Sequence, residues 1–305
     1  MHPRQALKDR SVFFTWLSSY IIILLIPIVM SGAVYVQTKG VIEEEINQSN
    51  TFLLSKARQQ MDSVLEDVDR LSMEIALNPR VMELGNFPDE PSDLDYYRLT
   101  KTVEDLKSYK VVNSAIESFF VFFNGDRILT NSASYAPRTY YDQFVSMQGI
   151  SFSGWIDIIR DRYNGGYAVV PNKGQNERNS SNTILHIRAV PGISVRGEKA
   201  VNIITTINGL KLIGDINEFA EMHKGSILIL DKNNQVVSST QGEIPLNRIN
   251  LNEMDKDRGI FHQSLGKQPV VIAYETSNIT GWKFLAVTPS EVFWKRPGTR
   301  GIWHY

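Results

Sequence analysis

From Ser11 to Thr38 the chain runs through 28 residues, "SVFFTWLSSYIIILLIPIVMSGAVYVQT", without one charged side chain. About 20 apolar residues carry a helix across the hydrocarbon core of a bilayer, so this segment is long enough to span with some tilt. Pro27 lies mid-span, which a membrane helix tolerates because neighbouring groups re-satisfy its backbone. Trp16 and Tyr35 stand near the two ends, where amphipathic rings favour the interface. Arg4, Lys8 and Arg10 precede the span, while Lys39 and the acidic run Glu43, Glu44, Glu45 follow it. That bias places residues 1–10 in the cytoplasm and everything after the span at 11–38 outside. A cleaved signal peptide ending near Ser31–Ala33 is the competing reading. Its apolar region would be about 7–15 residues, which favours an uncleaved single-pass anchor.

What remains is large enough for one extensive core or two modest ones: 305 residues in all, 42% of them hydrophobic. A net charge of −1 gives no reason to expect a nucleic acid bound by this chain itself. Cysteine is absent, which removes disulfides, thiolate metal sites and a cysteine nucleophile.

Beyond the span, Leu54, Ala57, Met61, Val64, Val68, Leu71 and Ile75 recur at alternating spacings of three and four. This is a heptad-type seam on a helix of roughly 41–77. Either two copies pair through it as a homodimer, or it docks on the chain's own domain. Asn78-Pro79 ends the helix. A second amphipathic helix is expected over roughly 93–110, with Tyr96, Leu99, Val103 and Leu106 on one face.

The period then changes to that of strands. "ESFFVFFNGDRILTNSAS" (Glu117 to Ser134) reads as strand, Asn-Gly turn, strand, and "GSILILDKNNQVVSSTQG" (Gly225 to Gly242) repeats the design. "TILHIRAVPG" (Thr183 to Gly192) and "WKFLAVTPS" (Trp282 to Ser290) echo each other as closing strands. "AVNIITTING" (Ala200 to Gly209) supplies a further strand, "LIGDINEFAE" (Leu212 to Glu221) a short helix, and Gly259 to Trp282 two antiparallel strands. Gly165-Gly166 reads as a hairpin turn between strands. The fold class expected is α+β: a transmembrane helix, a long stalk helix and two tandem antiparallel-sheet units. The divisions are a tail (1–10), a span (11–38), stalk and second helix (39–115), a distal unit (116–224), a proximal unit (225–289) and a C-terminal tail (290–305).

The order of "SYIIILLIPIVMSG", the acidic juxtamembrane run, "LLSKARQQMDSVLEDVDRLSMEIALNP", the hairpins "SFFVFFNGDRILT" and "SILILDKNNQVVSS" and the closing "ITGWKFLAVTPSEVFW" resembles double-Cache sensor regions, which are PAS-like. It is most similar to the sensory half of membrane-bound AraC-type transcriptional regulators of spore-forming Gram-positive bacteria. Related regions head histidine kinases. The resemblance covers about Ser11 to Trp294, and its motifs match in order and spacing, each alone being of low specificity. It implies a second span after Phe293 and Trp294, leading to a cytoplasmic helix-turn-helix or kinase module. "KRPGTRGIWHY" departs from that pattern, so truncation or a frameshift near Lys295 is expected. A genuine single-span, membrane-tethered solute-binding protein is the alternative.

No catalytic constellation is present. The five histidines, His2, His186, His223, His262 and His304, lack ligand spacing, and no nucleophile elbow, P-loop or dinucleotide fingerprint occurs. No enzyme activity, cofactor or metal site is therefore expected. His186 alternates with apolar residues in "ILHIRAV" and reads as a strand-face residue. Polar aromatics concentrate in the distal half: Tyr135, Arg138, Tyr140, Tyr141, Trp155, Tyr163 and Tyr167. Rings with an Arg and hydroxyls suit a concave site for a small extracellular polar ligand, such as a sugar. Sheet packing is the competing role for each. Arg138, Tyr140, Tyr141, Trp155 and Tyr167 are the candidate ligand residues. In the resembled family, the distal unit carries the ligand, and amino-acid-sensing members show an Arg-x-Trp pair. Here Ser153 stands two places before Trp155, so the motif does not support an amino-acid ligand.

Overall fold

The computed structural model describes residues 3–111, 113–123, 126–146, 149–160, 165–170, 182–190, 201–213, 225–240 and 246–289. The Asn124-Gly125 turn, Tyr163, His223, residues 214–221 and the tail 290–305 lie outside them. The chain divides into two compact units, 1–50 and 51–305. The first is helical from Pro3. Within it Trp16–Thr38 is a 23-residue stretch of mean hydropathy 2.2, long and apolar enough to cross a membrane and buried nowhere by protein.

The second unit begins inside the same helix, α1 (Pro3–Ala76). Here the seam proves intramolecular. Leu54, Met61, Val64, Val68, Leu71 and Ile75 are all buried in one core cluster with residues of two antiparallel sheets. The same atoms cannot face a second copy while they face these sheets, so the homodimer read from this seam has no surface there. α1 stops where the sequence says it should. Asn78 Oδ1 accepts the backbone N–H of Arg80 (2.9 Å) and Val81 (3.4 Å), and Pro79 opens the short helix α2 (Pro79–Glu83). The second amphipathic helix, α3 (Asp93–Leu106), buries Leu99, Thr102, Val103 and Leu106, while Tyr96 is exposed.

The first sheet has six strands: β1 (Ile116–Phe123), β2 (Arg127–Leu129), β3 (Ser134–Tyr135), β4 (Gly166–Val170), β5 (Thr183–Ala189) and β6 (Val201–Asn208). Their order is β3-β2-β1-β6-β5-β4, antiparallel throughout. Strand parity sends Phe119, Val121 and Phe123 to the α1 face and Phe120 and Phe122 to the opposite, outer face, so β1 feeds two cores. The outer face is covered by α4 (Pro137–Tyr140), the π-type turn Tyr141–Val145 that continues it, and α5 (Phe152–Arg160). Helix α5 corrects one expectation. The glycine pair Gly165-Gly166 (φ 96° and 125°) leads into β4, but the described element before it is a helix, not a strand.

After α6 (Gly209–Ile213) the second sheet comprises β7 (Ser226–Leu230), β8 (Val236–Ser239), β9 (Arg258–Leu265), β10 (Gln268–Thr276) and β11 (Lys283–Pro289). Its order is β8-β7-β11-β10-β9, again antiparallel. The β7–β8 hairpin forms as its sequence demands. Asp231 Oδ1 accepts the N–H groups of Asn233 and Gln235, and Asn234 takes the left-handed conformation (φ 60°) that Asn tolerates.

α1 is fastened to this sheet by a half-buried polar knot. Arg58 Nε donates to Glu275 Oε1 (2.6 Å) and Arg58 Nη1 to Asp62 Oδ2 (2.8 Å), while Ser277 Oγ donates to Asp62 Oδ1 (2.6 Å). The two sheets meet at Gly209. Its N–H donates to Asn182 O, its carbonyl accepts from Ser238 Oγ (2.9 Å), and Asn182 Nδ2 reaches Val236 O (2.9 Å). A Cβ at Gly209 would lie 2.6 Å from Asn182 O, a backbone atom that cannot swing aside. Gly209→Ala is expected to cost about 1–3 kcal/mol through this overlap, read as a lowered denaturant midpoint at unchanged slope.

Candidate functional site

The outer face of the first sheet carries a cavity of about 370 Å³. Its floor comes from alternate strand positions that parity turns outward: Ser118 and Phe120 of β1, Thr206 of β6, and Thr183 and Leu185 of β5. Ser118 Oγ and Thr206 Oγ1 lie 2.6 Å apart, and Thr206 Oγ1 also donates to the Ser118 carbonyl (3.1 Å). The Tyr140 phenol lines the same cavity as Ser118. Burial pushes the Tyr140 phenol up to about 12, the Ser118 hydrogen bond opposing in part, so it stays neutral at physiological pH. Thr130 and Ser132, hydrogen-bonded to each other at 2.9 Å, add hydroxyls at the β2–β3 side.

The wall is aromatic. Tyr140 stacks on Trp155 (centroids 6.1 Å, planes 20° apart) and touches Phe120 and Phe144, each with centroids 4.9 Å away. Tyr135 meets Phe144 edge-on at 5.8 Å. Trp155 is 2% exposed and Phe144 54%, so the inner rings are fixed in the core while the outer one stands at the mouth. Among the described lining residues the one charged side chain is Glu117, which accepts from Asn208 Nδ2 (2.8 Å). The site can thus offer ring faces and hydroxyls that both donate and accept, a combination suited to a polar, uncharged solute.

The sequence candidates divide around this cavity. Tyr140 and Trp155 line it. Tyr141 belongs to the same aromatic cluster but turns its hydroxyl to the Ile150 carbonyl and does not line the cavity. Arg138 lies over the Tyr141 and Phe152 rings at 5.7 and 5.2 Å, pairs with Asp142, and is likewise absent from the lining. Tyr167 sits on the other face of the sheet, packed with the α1 core. Its ring is 4.9 Å from His186 and 5.3 Å from Trp282 of the second sheet. Sequence reading passed over Ser118, Thr183 and Thr206. Their signal is a hydroxyl at an outward-parity position inside otherwise apolar strands, "IESFFVFF", "TILHIRA" and "VNIITTIN".

A larger cavity, about 460 Å³, lies between α2 and α3. Its cations are already matched: Arg80 with Asp105, Arg98 with Asp95, Lys101 with Glu104. Exposed, self-neutralised pairs of this kind give a ligand little to bind. Among the described residues no cluster of His, Asp and Glu has the makings of a metal site.

No protein-family model matches the chain, and no curated protein matches it. Solved structures do. The extracellular domain of a protein assigned as a histidine kinase, soHK1S-Z6, aligns with TM-score 0.52 at 12% identity, covering 84% of this chain and 98% of that one. The ligand-binding domain of Mlp24, determined with asparagine, aligns with TM-score 0.50 at 12% identity, covering 83% and 96%. The ligand-binding domain of the Campylobacter jejuni chemoreceptor Tlp3, in complex with 4-methylisoleucine, aligns with TM-score 0.49 at 10% identity, covering 87% and 96%. At these identities the likeness is one of fold. The fold is the Cache/PAS-like one of sensor domains: a long N-terminal helix alongside two antiparallel sheets.

Proposed function

We propose that this chain is a membrane-anchored, extracytoplasmic sensor module that binds a small polar ligand on the outer face of its first sheet. The cavity carries the reading, because an aromatic wall over a hydroxyl floor is what a small polar solute requires and what core packing alone does not. The apolar helix supplies the anchor, and the bias of Arg4, Lys8 and Arg10 puts the N-terminus in the cytoplasm. We assign 116–224 to the ligand-carrying distal unit and 225–289 to the proximal one. A monosaccharide-like solute fits the hydroxyl string and rings. For output, an AraC-type DNA-binding module and a histidine kinase are both supported: the first by the sequence resemblance, the second by the shared fold of soHK1S-Z6. In either case this sensor unit itself binds ligand and carries out no chemistry, and any catalysis belongs to the output module.

The test is thermal unfolding of the full chain in nanodiscs against monosaccharides, polyols and amino acids. A ligand at a hundredfold excess over its Kd stabilises by about 2.7 kcal/mol. For a unit of this size that is a rise in Tm of roughly 5–10 °C. The shift should vanish in Ser118→Ala/Thr206→Val. A shift that survives this double change moves the site elsewhere, and flat melts with all three classes remove the reading.

A further inference from the structure

On the α1 face, three strands align one residue each in register: Tyr167 of β4 opposite His186 of β5, and His186 opposite Thr205 of β6. His186 is 5% exposed and Thr205 wholly buried, and neither His186 Nδ1 nor Thr205 Oγ1 finds a hydrogen-bond partner among the described residues. The other imidazole nitrogen, Nε2, lies 4.0 Å from Asp69 Oδ1 on α1. That same carboxylate oxygen is held by Arg188, two residues along β5. Arg188 Nε also donates to Ser72 Oγ (2.9 Å), one turn further along α1. Asp69 and Ser72 therefore tie the helix to the sheet through one guanidinium, with a neutral imidazole enclosed beside the joint.

We propose that this joint is an acid-sensitive latch, in which protonation of His186 releases the 69–72 turn of α1 from β5. The groups facing the imidazole are Asp69 from α1, Arg188 from its own strand, and the Tyr167 phenol from β4; β6 presents the uncharged Thr205. An imidazolium here would compete with Arg188 for one carboxylate oxygen. Among the described residues its Nδ1–H would meet no acceptor in an enclosed setting, which disfavours the closed arrangement. Asp69 stands at the rim, 56% exposed, so the joint opens toward solvent.

The sign follows from the two protonation equilibria. Burial first, then the Arg188 charge, hold the closed-state imidazole down at about 4, Asp69 opposing. Once released it returns to an ordinary value of about 6.5. The open joint thus binds the proton more readily, and closure, complete above about pH 6.5, weakens as pH falls toward about 4. The population of the open joint should rise on the order of tenfold or more between about pH 8 and pH 5.

Hydrogen exchange of the full chain in nanodiscs, corrected for the intrinsic rate at each pH, reads this directly in peptides covering 65–76. Wild type should exchange about tenfold faster relative to the intrinsic rate at pH 5. His186→Gln should flatten the response. Arg188→Gln should also shrink it, because the imidazolium then has Asp69 to itself; it keeps His186 in place should the first variant not fold. A wild-type profile with no acid response overturns the proposal. So does an acid response that both variants retain in full.

Discussion

Val68→Asp should leave no cooperatively folded unit from Thr51 onward. Val68 is fully buried on the seam of α1, in the core cluster where the helix meets both sheets. Among the described residues, the Arg58 and Arg188 side chains that α1 meets are already committed to Glu275 and Asp62, and to Asp69, so a carboxylate there would lack a free cation. An unpaired buried charge costs at least about 3–5 kcal/mol, against a total stability of about 5–15 kcal/mol for a typical domain. The expected result is loss of the cooperative thermal transition and of near-UV dichroism. Arg70→Ala, on the exposed side of the same helix, should change stability by less than about 0.5 kcal/mol. The experiment also separates the two roles the heptad pattern allows. If Val68→Asp gave a well-folded monomer from a wild-type dimer, the seam would be an interface between copies and its docking on the sheets would be wrong.

That ambiguity shows how far sequence reaches here. A 3-4 spacing of apolar residues states that one helix face is buried; it is silent on what buries it. Local chemistry was more explicit. Asn78-Pro79 both ends α1 and caps α2, and the Asp231–Asn234 turn makes its hairpin with the contacts those side chains predict. The glycine pair misled because its permissive φ values serve any sharp entry to a strand, from a helix as well as from another strand. Positions 152, 155, 156 and 159, spaced as one helix face, were the signal for α5.

The candidate site was half legible for a related reason. Polar rings close in sequence did converge, as Tyr140 and Trp155 show. Which side of a sheet a residue takes depends on strand parity, and one residue of register reverses it. Tyr167 therefore fell to the α1 face, where it bridges His186 and Trp282. Ser118 and Thr206 fell to the cavity floor, although nothing in their local sequence says that β1 and β6 are neighbours. Arg138, two residues before Tyr140 on α4, points where its cation can lie over the Tyr141 and Phe152 rings.

Trp155→Ala and Phe144→Ala should part stability from binding in that cluster. Trp155 is the largest of the fully buried side chains and contacts Phe120, Tyr140, Tyr141 and Phe152. Truncating it removes the apolar burial and leaves a void between α5 and the sheet, a loss of about 3–5 kcal/mol. At about 2–4 °C per kcal/mol, Tm should fall by roughly 6–20 °C, most of which Trp155→Phe should restore. Phe144, mainly exposed at the mouth, contributes little burial, so its truncation should shift Tm by no more than a few degrees. What Phe144→Ala should remove is the ligand-dependent rise in Tm, because the exposed ring face is the one a solute can reach. If the ligand shift survives Phe144→Ala at full size while Trp155→Ala merely unfolds the unit, the aromatic wall is core packing. The recognition would then rest on the Ser118–Thr206–Tyr140 hydroxyls alone.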